Sequence, residues 1–202
     1  MSRFEEDFEG WGAYAAATAG RPPRPLLRRA LRHVAARRTA LDLGAGALSD
    51  SEFLLGEGFE MVTALDAEPV AQTKAASFPA ERFQYVISRF ETFDYPVGRY
   101  DLVNAQYALP FIPRAHFGSI FSRILNSLRQ GGILTGQLFG DRDEWASSPD
   151  IAFHSLGEAR ALMAGMEILE FEEEDEDGQI ASGRPKHWHA FHIIAHRPAP
   201  PS

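Results

Sequence analysis

From Ala40 to Asp50 the chain reads Ala-Leu-Asp-Leu-Gly-Ala-Gly-Ala-Leu-Ser-Asp, and a second apolar run, Val62-Thr63-Ala64-Leu65, ends in Asp66. Few arrangements accommodate both features. A short apolar run closed by a Gly-x-Gly turn describes a buried strand that stops abruptly before a helix. The second run then delivers a carboxylate twenty residues beyond Gly46. Doubly wound α/β folds use that interval to grip a ribose diol. A ligand carrying a nucleoside is therefore expected where these two strands end.

The flanking sequence continues the strand–helix alternation. Leu27, Ala30, Leu31 and Val34 recur at helical spacing between Pro25 and Arg37, which predicts an amphipathic helix with its arginines in solvent. Thr39–Leu43 follows as strand one. Ser49 and Glu52 form an S-x-x-E capping box that places a helix start near Asp50. Further strands are expected at about 60–65, at 83–87 and at 100–105, and Pro69 suits the first turn of a helix between the first two. After Pro113, the residues Phe117, Ile120, Phe121, Ile124, Leu125 and Leu128 share one helix face, and Gly131-Gly132 is the expected stop. Ile133–Phe139 reads as strand five, and a second capping box, Ser155 with Glu158, opens another helix. Two strand-like runs follow, Met166–Phe171 and Lys186–His196, with the acidic run Glu172–Asp177 expected at a solvated hairpin tip. Such alternation implies a parallel sheet with right-handed crossovers and helices on both faces, broken by an antiparallel terminal pair.

With 202 residues, 45% of them hydrophobic, the chain suits one domain over 1–202. Residues 1–37 would be an N-terminal helical segment and candidate lid, and 38–197 the core. The absence of cysteine excludes disulfide scaffolds, thiolate metal sites and cysteine nucleophiles. A formal net charge of −8 disfavours nucleic acid as a partner, because phosphate binding needs a basic face. No apolar run approaches the roughly 20 residues that cross a bilayer. Met1–Asp7 is acidic where a secretion signal is basic and then apolar. A cytoplasmic monomer or homodimer without membrane association is expected, and the tail Pro198–Pro201 is expected to fray.

The turn Gly44-Ala45-Gly46-Ala47-Leu48-Ser49 lacks the third glycine of a dinucleotide loop, and no Walker G-K-S/T occurs. The motifs and their order instead resemble the class I S-adenosylmethionine-dependent methyltransferases, and among them a small bacterial type similar to the tellurite-resistance and thiopurine group. Leu41–Gly46 matches that family's motif I, Asp66 its motif II and Tyr100–Ala105 its motif IV. Leu128-Arg129-Gln130-Gly131-Gly132 matches its L-x-x-G-G, and Phe139–Trp145 matches the subgroup's F-G-x-R-D-x-W. The resemblance runs from Trp11 to His189. It implies a three-layer αβα Rossmann-like methyltransferase fold with a seven-stranded mixed sheet, order 3-2-1-4-5-7-6, the last strand antiparallel. It also implies methyl transfer from S-adenosylmethionine to a small-molecule acceptor. There are two departures from the family pattern. Leu48 replaces the last glycine of G-x-G-x-G, and the segment Ile87-Ser88-Arg89-Phe90-Glu91 lacks the acid that many relatives place against adenine.

Under that resemblance Gly44, Ala45 and Gly46 bring backbone close to the methionyl part of the cofactor. Asp66, with Ala67, takes the ribose; the alternative for Asp66 is a helix N-cap, since Pro69 follows. Asp42 is expected to order the turn through backbone N–H groups. Arg89 and Phe90, the latter by stacking, or else Ser88, would meet adenine. Asn104 and Gln106 would border the methyl donor. Tyr14 and Arg24 are the expected lid contacts, with Arg24 directed at the cofactor carboxylate and an aromatic face at the sulfonium. Trp11, Tyr107, Arg142 and Trp145 are candidates for the acceptor site; otherwise Tyr107 is core and the Arg142 loop a surface turn. No catalytic residue is assigned; Tyr107, His187 and His189 are the candidates, with a histidine as general base if the acceptor is a hydroxyl or thiol. No metal is expected, because His187 and His189 share one strand face while His192 and His196 lie on the other. A NAD-dependent oxidoreductase and a non-catalytic S-adenosylmethionine or S-adenosylhomocysteine binder remain as alternatives.

Overall fold

The computed structural model describes residues 10–199 and centres on an eight-stranded sheet. Its strands are β1 (Thr39–Leu43), β2 (Met61–Asp66), β3 (Phe83–Ile87), β4 (Tyr100–Ala105), β5 (Leu128–Gly140), β6 (Phe153–His154), β7 (Glu167–Gln179) and β8 (Pro185–His196). The order is β3-β2-β1-β4-β5-β8-β7, and the two-residue β6 pairs with the end of β5. With β6 set aside, this is the expected 3-2-1-4-5-7-6 arrangement. Strands β1 to β5 pair in parallel, and β8 lies antiparallel between β5 and β7. The helices are α1 (Trp11–Ala17), α2 (Pro25–Ala30), α3 (Ser49–Gly56), α4 (Gln72–Ala75), α5 (Phe117–Ser127) and α6 (Leu156–Ala161). Met1–Asp7 and the end of the proline tail lie outside the described residues. No helix among the described residues is long and apolar enough to cross a membrane.

Alternation along the strands divides the core in two. Leu41, Leu43 and Val103 pack on one face with Phe117, Ile120, Phe121 and Ile124 of α5 and Ala159 of α6. Ala40, Val62, Ala64 and Leu102 pack on the other with Leu26, Leu27 and Ala30 of α2 and Leu54 of α3. The sheet is thus covered on both faces, as a parallel sheet must be.

The structure corrects four local expectations. Helix α2 ends at Ala30 rather than near Arg37, and a turn follows. Ser49 does not cap α3: Leu48 occupies the N-cap position in the left-handed region, φ 63°, with no side-chain cap. Helix α5 ends at Ser127 because Leu128 turns extended, ψ 142°. Gly131-Gly132 therefore lies inside β5, where a Cβ on Gly132 would stand 2.9 Å from the carbonyl oxygens of Arg129 and Tyr100. Finally, the acidic run is strand, not hairpin tip. β7 continues to Gln179, and the turn closes through Ile180 N–H to Arg184 O at 3.0 Å. The acids are tolerated there because β7 is an edge strand whose carboxylates find hydrogen-bond partners in His187 and His192 across the ladder and in Arg142 of the loop after β5.

Candidate active site

A cavity of about 710 Å³ opens at the carboxyl ends of β1, β2 and β4, where ligands sit in sheets of this topology. Gly44 and Gly46 line it with φ of 65° and 49°. A Cβ on Gly44 would meet the Ala108 Cβ at 2.8 Å, so backbone itself forms this wall. Leu48 is fully buried in the core beneath the turn, which explains how it substitutes for a glycine without entering the cavity. Ala45 is likewise turned inward, its N–H donating to Leu65 O at 3.0 Å.

Asp66 lines the cavity and closes the turn. Its Oδ2 accepts the Gly46 N–H at 2.8 Å and its Oδ1 the Glu68 N–H at 3.0 Å. Burial raises its pKa above the usual carboxylate value, and the two backbone bonds oppose that. It caps no helix, because α4 begins only at Gln72, after Ala71. Ala67, Arg89 and Phe90 lie on the same side of the cavity, together with Glu68, Ser88 and Glu91.

Asp42 lies below the cavity and meets side chains rather than the turn's N–H groups. Its carboxylate accepts Ser51 Oγ at 2.5 Å and Asn104 Nδ2 at 2.8 Å. Burial, then the Asp50 charge, pushes its pKa up to about 7. Asn104 is also buried off the cavity, and its Oδ1 accepts Gln106 Nε2 at 2.9 Å. Gln106, which does line the cavity, accepts Gln137 Nε2 at 3.0 Å, and Gln137 Oε1 takes the Tyr107 N–H at 2.7 Å. This chain of amides fixes the backbone at the end of β4, where Tyr107 adopts φ 56°.

Helix α1 and the segment after it cover the opening with Trp11, Tyr14, Arg21 and Arg24. The two arginines differ. Arg21 grips Asp50 with both guanidinium nitrogens, at 3.1 and 2.7 Å. Asp50 Oδ1 also accepts the Arg24 N–H at 3.0 Å. The Arg24 guanidinium lies 4.9 Å from the Tyr107 ring centroid and reaches Tyr14 Oη at 3.4 Å, while its buried Nε has no partner. It forms no ion pair with a carboxylate among the described residues.

The rest of the cavity is aromatic. Trp11 stands edge-on to Phe111 at 4.7 Å, Tyr107 to Trp188 at 5.8 Å, and Trp145 to Trp188 at 5.8 Å. Burial pushes the Tyr107 phenol up to about 12, so it stays protonated at neutral pH and is no general base there. Behind the tryptophans, Lys186 Nζ is fully buried 2.5 Å from Asp143 Oδ2 and 3.6 Å from the Trp188 centroid.

Besides Asp42, Ala45 and Asn104, three more candidates lie away from the cavity. His187 is exposed and bridges Asp175 at 3.0 Å and Asp177 at 2.8 Å. His189 is wholly buried against Gly140, where a Cβ would stand 1.9 Å from its Nδ1. Arg142 projects outside and bonds Glu173, Asp175 and His189, within 3.0 Å of each. Those three residues are also the one cluster with ligand geometry for a metal among the described residues, and the guanidinium already occupies the space between them. Sequence reasoning passed over Phe111, Glu174 and Trp188, which line the cavity. Period-two alternation from Lys186 would have put Trp188 on the face opposite His187 and His189.

Residues 40–132 match the family model described as a methyltransferase domain. No curated protein sequence matches the chain. Among solved structures, the chain is similar to the Burkholderia thailandensis 1,6-didemethyltoxoflavin N1-methyltransferase, whose crystal structure holds 1,6-didemethyltoxoflavin and S-adenosylhomocysteine. The TM-score is 0.67 at 22% identity, over 87% of this chain and 78% of that one. TehB from Haemophilus influenzae aligns with a TM-score of 0.69 at 17% identity, over 85% and 61%. A Haloferax volcanii protein solved in complex with the methyltransferase activator Trm112 aligns with 0.71 at 18% identity, over 98% of each. The expected fold is therefore present. The segment that matches the methyltransferase-domain model, residues 40–132, spans the glycine turn, Asp66 and all of β4 within that fold.

Proposed function

Proceeding from that match and from the cavity's lining, we propose that the chain is an S-adenosylmethionine-dependent methyltransferase that transfers a methyl group to a small-molecule acceptor lodged against its aromatic wall. One observation carries the reading. A single cavity is bordered by a glycine turn in which a Cβ on Gly44 would crowd Ala108, a partly buried carboxylate tied to that turn, and a guanidinium with an unsatisfied Nε. Those groups suit the aminoacyl backbone, the ribose diol and the carboxylate of the cofactor in turn. When bound, the cofactor supplies a sulfonium methyl carbon open to in-line displacement.

The chain's own residues do the holding. Gly44 and Gly46 let the backbone approach, with Ala45 and Asp42 fixing the turn from below. Asp66 takes the ribose beside Ala67, Arg24 takes the carboxylate beside Tyr14, and Phe90 with Arg89 faces adenine. Gln106, set by Asn104, borders the methyl, and Trp11, Tyr107 and Trp145 face the acceptor. Positioning in a space cleared of water supplies most of the acceleration in such displacements. A Burkholderia neighbour solved with a small molecule, and a net charge of −8, support a small-molecule acceptor over nucleic acid. Of the expected N-terminal lid, residues 10–37 form the cover in this reading and residues 1–9 lie outside the described residues, and the protein works in the cytoplasm as a monomer or homodimer.

The test is calorimetric titration with S-adenosylmethionine, S-adenosylhomocysteine and NADH in parallel. Micromolar binding of the first two and none of NADH is expected; NADH binding alone would refute the reading. Asp66→Ala removes charge-assisted ribose bonds of roughly 1.5–3 kcal/mol each, so cofactor affinity should fall about tenfold to a hundredfold. An affinity within about twofold of the parent sinks the ribose assignment.

A further inference from the structure

Trp11, Tyr107, Phe111, Phe139, Trp145 and Trp188 line the same cavity and give it an aromatic slot. Their rings pack on one another mostly edge to face, and together they present a rigid apolar wall on which a ligand's ring can pack. Glu174 on β7 brings a carboxylate to the same cavity. Its Oε2 is 2.6 Å from His192 Nε2 on β8, and its Oε1 meets no donor among the described residues. His192 is steadied in turn by Gln137 of β5, Nδ1 to Nε2 at 3.4 Å, and by the edge-on Tyr107 ring at 6.3 Å. The hydrogen bond from His192 is the main reason that the Glu174 pKa lies below the ordinary glutamate value, so its carboxylate is charged at neutral pH. The neighbouring ammonium of Lys186 is already committed to Asp143.

We propose that this slot is the acceptor subsite for a planar ring, neutral or cationic, that bears an N–H or O–H, and that Glu174 receives that group's hydrogen bond and thereby sets specificity. The proposal rests on the methyl-transfer reading and names the substrate class of the same site. Its physical basis is asymmetric. A half-buried, charged oxygen that only accepts favours a ring carrying a donor and is left unpaired by one without. The same charge repels an anion in apolar surroundings. Thiolates and oxyanions such as tellurite therefore fit this slot poorly, although the chain resembles the tellurite-resistance group.

The test uses three probes with the full chain at pH 8, both alone and saturated with S-adenosylhomocysteine: benzimidazole, 1-methylbenzimidazole and benzoate. Binding is followed by calorimetry and by quenching of tryptophan fluorescence. Benzimidazole should bind at least about tenfold more tightly than its N-methyl analogue, which has nearly the same shape and no N–H, and benzoate should be weakest. Glu174→Met should bring the first ratio to about twofold or less without changing S-adenosylhomocysteine affinity. Glu174→Gln, which keeps an acceptor oxygen without the charge, should preserve the N–H preference and relieve the bias against benzoate. Equal binding of the two benzimidazoles, a ratio that survives Glu174→Met, or no benzimidazole binding overturns the proposal. Failure of S-adenosylhomocysteine to bind, with the benzimidazole contrast intact in the free protein, strikes instead at the methyl-transfer reading.

Discussion

Replacing Lys186 with methionine keeps the side chain's length and removes its charge, which makes it the sharpest probe of the acceptor wall. Lys186 Nζ and Asp143 Oδ2 are 2.5 Å apart, and both side chains are 0% exposed. The ammonium also stands 3.6 Å from the Trp188 ring centroid and 4.5 Å from that of Trp145. Burial lowers the Lys186 pKa while the Asp143 bond and charge oppose that, so the pair is held together against its own desolvation. Asp143 cannot simply turn away, because it also accepts the N–H groups of Trp145 at 2.9 Å and His189 at 3.2 Å. Removing one member of such a pair strands the other charge and costs about 3–5 kcal/mol. For a chain of this size that lowers Tm by about 6–20 °C. Thermal unfolding at pH 7 reads the loss directly. Adding Asp143→Asn removes the stranded charge while keeping an acceptor for Trp145, and should restore at least about 2 kcal/mol. A Tm change below about 3 °C for Lys186→Met, or costs that simply add in the double variant, would show that the pair does not brace the wall.

Three further outcomes are expected. The Asp42 pKa of about 7 lies above the roughly 3.9 of an unfolded aspartate, so the folded state holds a proton that the unfolded chain has lost. Asp42 therefore subtracts from stability progressively as pH rises from about 4 to about 7; urea unfolding should show Asp42→Asn gaining on the parent across that window, and a pH-independent difference would contradict this. Arg24→Met should weaken S-adenosylmethionine binding about tenfold to a hundredfold while leaving decarboxylated S-adenosylmethionine nearly unchanged; equal losses for both ligands would remove the carboxylate role. Gly44→Ala places a methyl 2.8 Å from Ala108 Cβ at φ 65°, so it should cost at least about 1 kcal/mol in urea unfolding from the left-handed conformation alone, with a parallel loss of S-adenosylhomocysteine affinity.

The glycine turn and the carboxylate tied to it were legible in sequence because their signals are local. Gly44, Gly46 and Asp66 are set by one turn and one strand end, and the interval between them is a property of the βαβ unit itself. The acceptor side is assembled by pairings that no local pattern announces. Arg21 and Arg24 flank the same two prolines, and only the distant Asp50 decides which guanidinium is left for a ligand. Asp42 was expected to serve its own turn, yet its partner Asn104 stands on a neighbouring strand and connects it to Gln106 and Gln137. Glu174 was hidden inside an acidic run that resembles a solvated tip. It becomes a cavity residue only because β7 continues past it and pairs with β8, where His192 neutralises the cost of turning a carboxylate inward. The histidines that invited a catalytic reading, His187 and His189, alternate to the other face of that same strand and serve the ion-pair ladder of the sheet edge. The division has a physical cause. In the proposed reading the cofactor meets backbone geometry, which a short motif encodes, whereas the acceptor meets side chains from α1, β5, β7, β8 and the segments after β4 and β5, whose meeting depends on the register of the whole sheet.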